Sequence, residues 1–154
     1  MSGPSYLNSV NLKQDSDFPY LVLEVINDES YPRNPGFQVM HWHEDLQFIY
    51  VLEGEIEVVT LSEGVRLRRG DGVFLNRNVV HLVRKVTACH YKSFLFPERF
   101  LKFYPGSPAE RMVEQIVGRP ELPIRASREE DGSVTQLLQK PSRMEEGKTT
   151  WYPY

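Results

Sequence analysis

Between residues 18 and 96 the chain repeats one pattern: a short run rich in Val, Ile, Leu, Phe and Tyr, then a turn signal. The runs predict strands over 21–26, 38–42, 46–52, 55–61, 65–69, 72–75, 81–86 and 90–96. Between them stand Tyr31-Pro32-Arg33-Asn34-Pro35-Gly36, Glu53-Gly54, Ser62-Glu63-Gly64, Gly70-Asp71 and Asn76-Arg77-Asn78. The glycines in these pairs supply the positive-φ positions that tight hairpins need. Many short strands at this spacing, with no helix between them, predict an all-β antiparallel barrel or sandwich rather than βαβ units.

Alternation sets the faces. In Glu55-Ile56-Glu57-Val58 the glutamates share one side, and in Val65-Arg66-Leu67-Arg68 the arginines share one side. The two segments read as neighbouring strands with paired charges on the wet face. Such pairing is worth tenths of a kcal/mol, roughly, and fixes register more than stability. The run Arg66-Leu67-Arg68-Arg69 is therefore read as a solvated strand face rather than a nucleic-acid patch.

After Pro97 the texture changes. Residues 108–117 carry Pro at the first position, an early Glu110, and Met112, Val113, Ile116 and Val117 at helical spacing, before Gly118. This predicts a helix that packs on the barrel. A second helix is expected near Arg128 or Ser133. Residues 1–17 read as an arm. The chain ends on Trp151-Tyr152-Pro153-Tyr154, which suggests a truncated longer protein.

With 154 residues, a net charge of −3 and one cysteine, Cys89, the composition excludes an internal disulfide and gives no general drive toward nucleic acid. No apolar run approaches the roughly 20 residues of a membrane span. The start Met1-Ser2-Gly3-Pro4-Ser5 carries no secretory pattern, so the expected setting is cytoplasmic, with no membrane partner.

Three of the four histidines fall where strands could bring them together. His41 and His43 are two apart on the strand predicted over 38–42 and its end, so both face one way, and Val39 and Phe37 share that side. Gln47 opens the next strand, with Ile49 and Val51 continuing its face, and His81 begins a later one. Imidazoles from neighbouring strands plus an oxygen-bearing side chain suit a polar ligand or a divalent metal. The expected ligand pocket is therefore Val39, His41, His43, Gln47, Ile49 and His81, with His41, His43 and His81 as the metal candidates. The alternative is a set of buried, hydrogen-bonded histidines without a ligand. No catalytic residue is assigned.

The run Gly36-Phe37-Gln38-Val39-Met40-His41-Trp42-His43-Glu44-Asp45-Leu46-Gln47, continuing to Glu53-Gly54, resembles the first conserved block of the cupin superfamily. Gly70-Asp71-Gly72-Val73-Phe74-Leu75-Asn76 through His81 resembles the second. The string from His41 to Gly54, with Tyr91-Lys92-Ser93-Phe94-Leu95-Phe96, is similar to the N-terminal effector domain of AraC-type transcription regulators.

The resemblance implies a cupin-like double-stranded antiparallel β-barrel, or jelly roll, followed by one or two C-terminal α-helices. It implies an arm over 1–17, a barrel over 18–104 and a helical segment over 105–154 that stops short of a DNA-binding domain. The implied role is a ligand-sensing regulatory domain. A small-molecule effector binds inside the barrel, the chain forms a homodimer, and DNA is reached only through a helix-turn-helix domain absent from these residues. Two departures stand out. Metal-binding cupins carry Glu where this chain has Gln47, and the proline usual in the second block is Asn76. The loss of the acid implies no required cofactor, with Zn or Ni bound adventitiously at most. The competing readings are a stand-alone metal-dependent cupin enzyme, such as a dioxygenase or isomerase, and a sugar-binding cupin module.

Overall fold

The computed structural model describes residues 6–9, 15–119 and 124–128. Its strands are β1 (Leu7–Asn8), β2 (Leu21–Ile26), β3 (Glu29–Tyr31), β4 (His41–Trp42), β5 (Leu46–Glu53), β6 (Glu55–Thr60), β7 (Gly64–Arg68), β8 (Gly72–Leu75), β9 (His81–Lys85), β10 (His90–Phe96) and β11 (Ile124–Ser127). They form two sheets, ordered β1-β4-β9-β6-β7 and β11-β8-β5-β10-β2-β3. Every pairing is antiparallel except β1 on β4.

The sheets meet because their inner faces alternate. Val25 of β2, Ile49 and Val51 of β5, Ile56 and Val58 of β6, Leu67 of β7, Val73 and Leu75 of β8, Val83 of β9 and Tyr91 of β10 form one buried cluster. Removing that apolar area from water, at about 25 cal/mol per Å², is the main force closing the barrel. The β6–β7 hairpin has Glu55 opposite Arg68 and Glu57 opposite Arg66. Arg66 reaches diagonally to Glu55 at 3.5 Å, while Glu57 is held by Arg84 of β9. Gly54, at φ +73°, makes the β5–β6 turn, and a Cβ there would lie 1.9 Å from the Ala88 carbonyl oxygen. Only glycine fits.

The structure adds β3 and the short helix Arg99–Lys102 to the elements expected, and it differs from the sequence reading in four further places. Pro35–Gln38 is a 3-10 turn, so the strand expected over 38–42 shrinks to His41–Trp42. Pro35, with its fixed φ, suits the first position of a helical turn and cannot donate to a ladder. The arm is not free of the barrel: Leu7 and Asn8 pair with His41 and Trp42, and Ser9 N donates to Trp42 O at 2.8 Å. The region after 104 is not wholly helical, since β11 pairs with β8 and extends the six-stranded sheet beyond the expected barrel boundary. Arg128, expected to open a helix, instead follows β11 and donates to Asp71 Oδ2 at 2.8 Å and Arg66 O at 2.6 Å. The remainder of that expected helix, near Ser133, and the aromatic C-terminus lie outside the described residues.

Helix α1 spans Arg99–Lys102 and α2 spans Pro108–Val117, as expected for the latter. Ser107 caps α2 by accepting from Glu110 N, and Glu110 accepts in return from Gly106 N at 2.7 Å. Of the four apolar residues read as its packed side, Val113 and Val117 are buried against Leu46, Phe74 and Phe96. Met112 and Ile116 are 66% and 48% exposed. No helix among the described residues is long and apolar enough to cross a membrane.

Candidate functional site

The pairing of β4 with β9 sets His41 directly opposite His81, and His43 follows two residues later on the same side. Ring centroids lie 4.4 Å apart for His41 and His81, 5.2 Å for His43 and His81, and 5.9 Å for His41 and His43. One nitrogen from each falls within 4.8 Å of the other two. All three side chains are closed from solvent, at 4%, 3% and 0% exposure in chain order.

The backbone fixes which nitrogens point inward. His41 Nδ1 lies 2.7 Å from Val39 O, His43 Nδ1 2.9 Å from Asp45 O, and His81 Nδ1 2.8 Å from Val79 O. A carbonyl oxygen only accepts, so each Nδ1 carries the hydrogen and each neutral ring keeps its lone pair on Nε2. Burial lowers the pKa of all three, and His81 is pushed down to about 3 by burial and by its two imidazole neighbours. The rings are neutral. His81 Nε2 is buried with no hydrogen-bond partner among the described residues. An orphaned acceptor of this kind costs roughly 1–3 kcal/mol, unless a ligand or water satisfies it.

Gln47, on β5, completes the group. Its amide lies between His43 Nε2, 2.9 Å from Oε1, and Ser93 Oγ, 2.6 Å from Nε2. A lone pair on His43 Nε2 has no proton to offer Oε1. The neutral ring is satisfied when the amide turns to present its NH2 to Nε2 and its carbonyl to the Ser93 hydroxyl; a cation on Nε2 draws Oε1 back.

Three nitrogens within 4.8 Å of one another share a centre no more than about 2.8 Å from each, the length of a hydrogen bond. A Zn–N bond is about 2.0–2.1 Å. The donor set fits a single small cation or a water molecule, drawn slightly inward for a metal, and it is too tight for a metabolite. Ile49 belongs to the packed core beside this cluster. Val39 does not line it: the residue is 50% exposed and serves the site through its carbonyl, because the 3-10 turn before it breaks the strand alternation. Glu44 is exposed.

Space for a larger ligand lies at the barrel mouth. A groove of about 480 Å³ is bounded by Asn8 and Ser9 of the arm, by His43 and Asp45, and by Arg77 and Arg99. Pockets for small molecules run from roughly 300 to 1,000 Å³. This groove borders His43, and a second, of about 520 Å³, lies by Thr60, Asn76 and Val117. Ser93 and Asn76 were missed as site residues. Ser93 was legible as a lone hydroxyl on the apolar inward side of Tyr91, Ser93 and Leu95, whereas Asn76 was marked only by standing in place of the second block's usual proline.

Residues 29–91 match the family described as the cupin domain. Over 50 residues, 32% of this chain and 17% of the other, the sequence is 30% identical to an uncharacterized HTH-type transcriptional regulator, YdeC, of Bacillus subtilis strain 168. The fold is similar to unsaturated fatty acid-bound wild-type ToxT of Vibrio cholerae, with a TM-score of 0.51 at 12% identity, covering 80% of this chain and 46% of that one. Apo ToxT K231A gives 0.50 at 8% identity, over 86% and 49%. The chain therefore spans about half the length of these structures and a smaller share of the regulator.

Proposed function

We propose that this cupin barrel is the sensing domain of a helix-turn-helix transcription regulator of the AraC type, and that its effector is a small molecule seated at the barrel mouth against His43. The observation that carries the proposal is the site's neutrality: three Nδ1–H imidazoles and an amide converge without a carboxylate. Such a site offers hydrogen bonds rather than charge, and His43 is the member of it that borders the groove. The similarity to an HTH-type regulator and to the ToxT barrel, one example of which holds a fatty acid, supports the same reading.

The mechanism is a population shift. His43 borders the groove; the arm, through β1, lies on β4; and α2 packs beside β5 and β8. A ligand that binds one arrangement of arm and helix more tightly favours that arrangement by its differential affinity. DNA-binding domains carried elsewhere in the polypeptide are then presented differently. Homodimerisation through the exposed side of α2, Met112 and Ile116, fits this role. If a metal enters, His41, His43 and His81 hold it, with Gln47 as a weak neutral fourth donor; the ion supplies Lewis acidity. No metal is needed for sensing.

A thermal-shift screen of small metabolites against wild type and His43→Gln tests the proposal. A compound at 100 times its Kd adds about 2.7 kcal/mol of stability, and the variant should lose that gain. Stabilisation equal in both proteins would remove His43 from the ligand site. The second reading, a metal-dependent cupin enzyme, is favoured by the convergence of three imidazole nitrogens and by the orphaned Nε2 of His81.

A further inference from the structure

Asn76 stands where the cupin pattern has proline, at the end of β8, and is 4% exposed. Its Nδ2 donates to Ile116 O at 3.0 Å and to Val117 O at 3.4 Å. These are carbonyls of the last turn of α2, where Ile116 O also accepts from Arg119 N at 3.2 Å. Its Oδ1 accepts from Arg77 N at 2.9 Å. A proline has no side-chain donor and could make none of the bonds to α2.

The residues around Asn76 lead into the histidine cluster at both ends. Leu75, just before it, pairs in register with Gln47. Asn78 N donates to His43 O at 2.8 Å, and Asn78 holds a left-handed backbone at φ +63°. Val79 O accepts from His81 Nδ1. The stretch 75–81 therefore joins Gln47's strand, His43 and the His81 ring on one side to the C-terminus of α2 on the other. The buried side chains of α2, Val113 and Val117, give apolar contact, which is tolerant of sliding; the two bonds from Asn76 fix the helix end in one place.

We propose that Asn76 is a latch that couples the position of the histidine cluster to the docking of α2. Displacing His43 or His81 moves the 76–81 segment and withdraws Nδ2 from the helix carbonyls; loosening α2 relaxes the imidazoles by the same path, since coupling is reciprocal. The importance of this link rests on α2 being the output element proposed above, but the link itself does not need a ligand.

The test reads the ring nitrogens of His43 and His81 by long-range 15N–1H NMR on the metal-free 154-residue chain. Val117→Ala loosens α2. With Asn76 present it should shift both sets of signals. In the Asn76→Ala background the same substitution should shift them less by at least about fivefold, the non-additivity that marks a shared path. Asn76→Asp keeps the shape and the acceptor for Arg77 N but has no N–H donor, and should behave like Asn76→Ala. In the wild type, the Asn76 side-chain amide protons should exchange with solvent slowly, in step with the backbone amides of α2. Free exchange of those protons, no shift on Val117→Ala, or an equal shift in the Asn76 variants would each overturn the latch. An effector screen that finds nothing would end the sensing proposal and leave these results standing.

Discussion

His43 Nε2 and the Gln47 amide face each other at 2.9 Å, with Ser93 Oγ closing the chain on the far side. A neutral amide holds the position at which metal-binding cupins place an acid. Restoring the charge with Gln47→Glu should raise Zn2+ affinity by about 10- to 100-fold, the size of effect seen when a metal's close partners change. Calorimetric titration of chelator-treated protein measures it. Equal affinity in the two proteins would show that residue 47 does not reach the ion.

The three buried imidazoles make stability depend on pH in a defined direction. His81 is pushed down to about 3, by burial first and by His41 and His43 second, while burial lowers His41 and His43 as well. Their ordinary value is about 6.5. Below that value the unfolded chain takes up protons that the folded chain refuses, so folding loses ground as pH falls. Stability should be level above about pH 6.5 and decline from there toward pH 3. The slope is about 1.4 kcal/mol per pH unit for each histidine that stays neutral. Urea denaturation between about pH 7.5 and 4.5, with chelator present, checks this, and His81→Gln should flatten the slope by about one proton.

Two glycines with positive φ separate strain from collision. Gly54→Ala places a Cβ 1.9 Å from a backbone oxygen and should cost roughly 3 kcal/mol or more. Gly106, at φ +81°, has nothing within 4 Å of the built Cβ. Its alanine variant should cost about 1 kcal/mol, from backbone conformation alone. Equal losses in denaturant unfolding would show that the Ala88 segment gives way.

On α2, Val117→Ala and Val113→Ala should each cost about 1–2 kcal/mol, near the value of two buried methyl groups. Met112→Ala, on the exposed side, should stay within about 0.5 kcal/mol in the monomer. A large loss at Met112 that depends on protein concentration would instead reveal that side as an interface between copies.

The parts of this molecule governed by local pattern were legible in the sequence. Alternation in β6 and β7 placed Ile56, Val58 and Leu67 inside and the Glu and Arg residues outside, because strand side chains change face at every residue. Proline at the start and Gly118 at the end bounded α2 to the residue. The histidines' meeting was legible from spacing and family likeness, and the cross-strand pair of His41 and His81 realises it. What depended on distant partners was not. Val39 was misplaced because Pro35 bends the chain into a 3-10 turn before the strand begins. The span from 105 looked helical, yet Ile124–Ser127 was recruited by the open edge of β8, which no local signal announces. Asn76 read as a turn residue, since its partners lie 40 and 41 positions away.

The neutrality of the histidine site is tested most directly by elemental analysis of the chain purified without metal-affinity chromatography, alongside His41→Ala. Iron and manganese should be well below one per chain and indifferent to the substitution. One iron or manganese per chain, lost on His41→Ala, would contradict a metal-free sensing site and favour the metal-dependent enzyme reading.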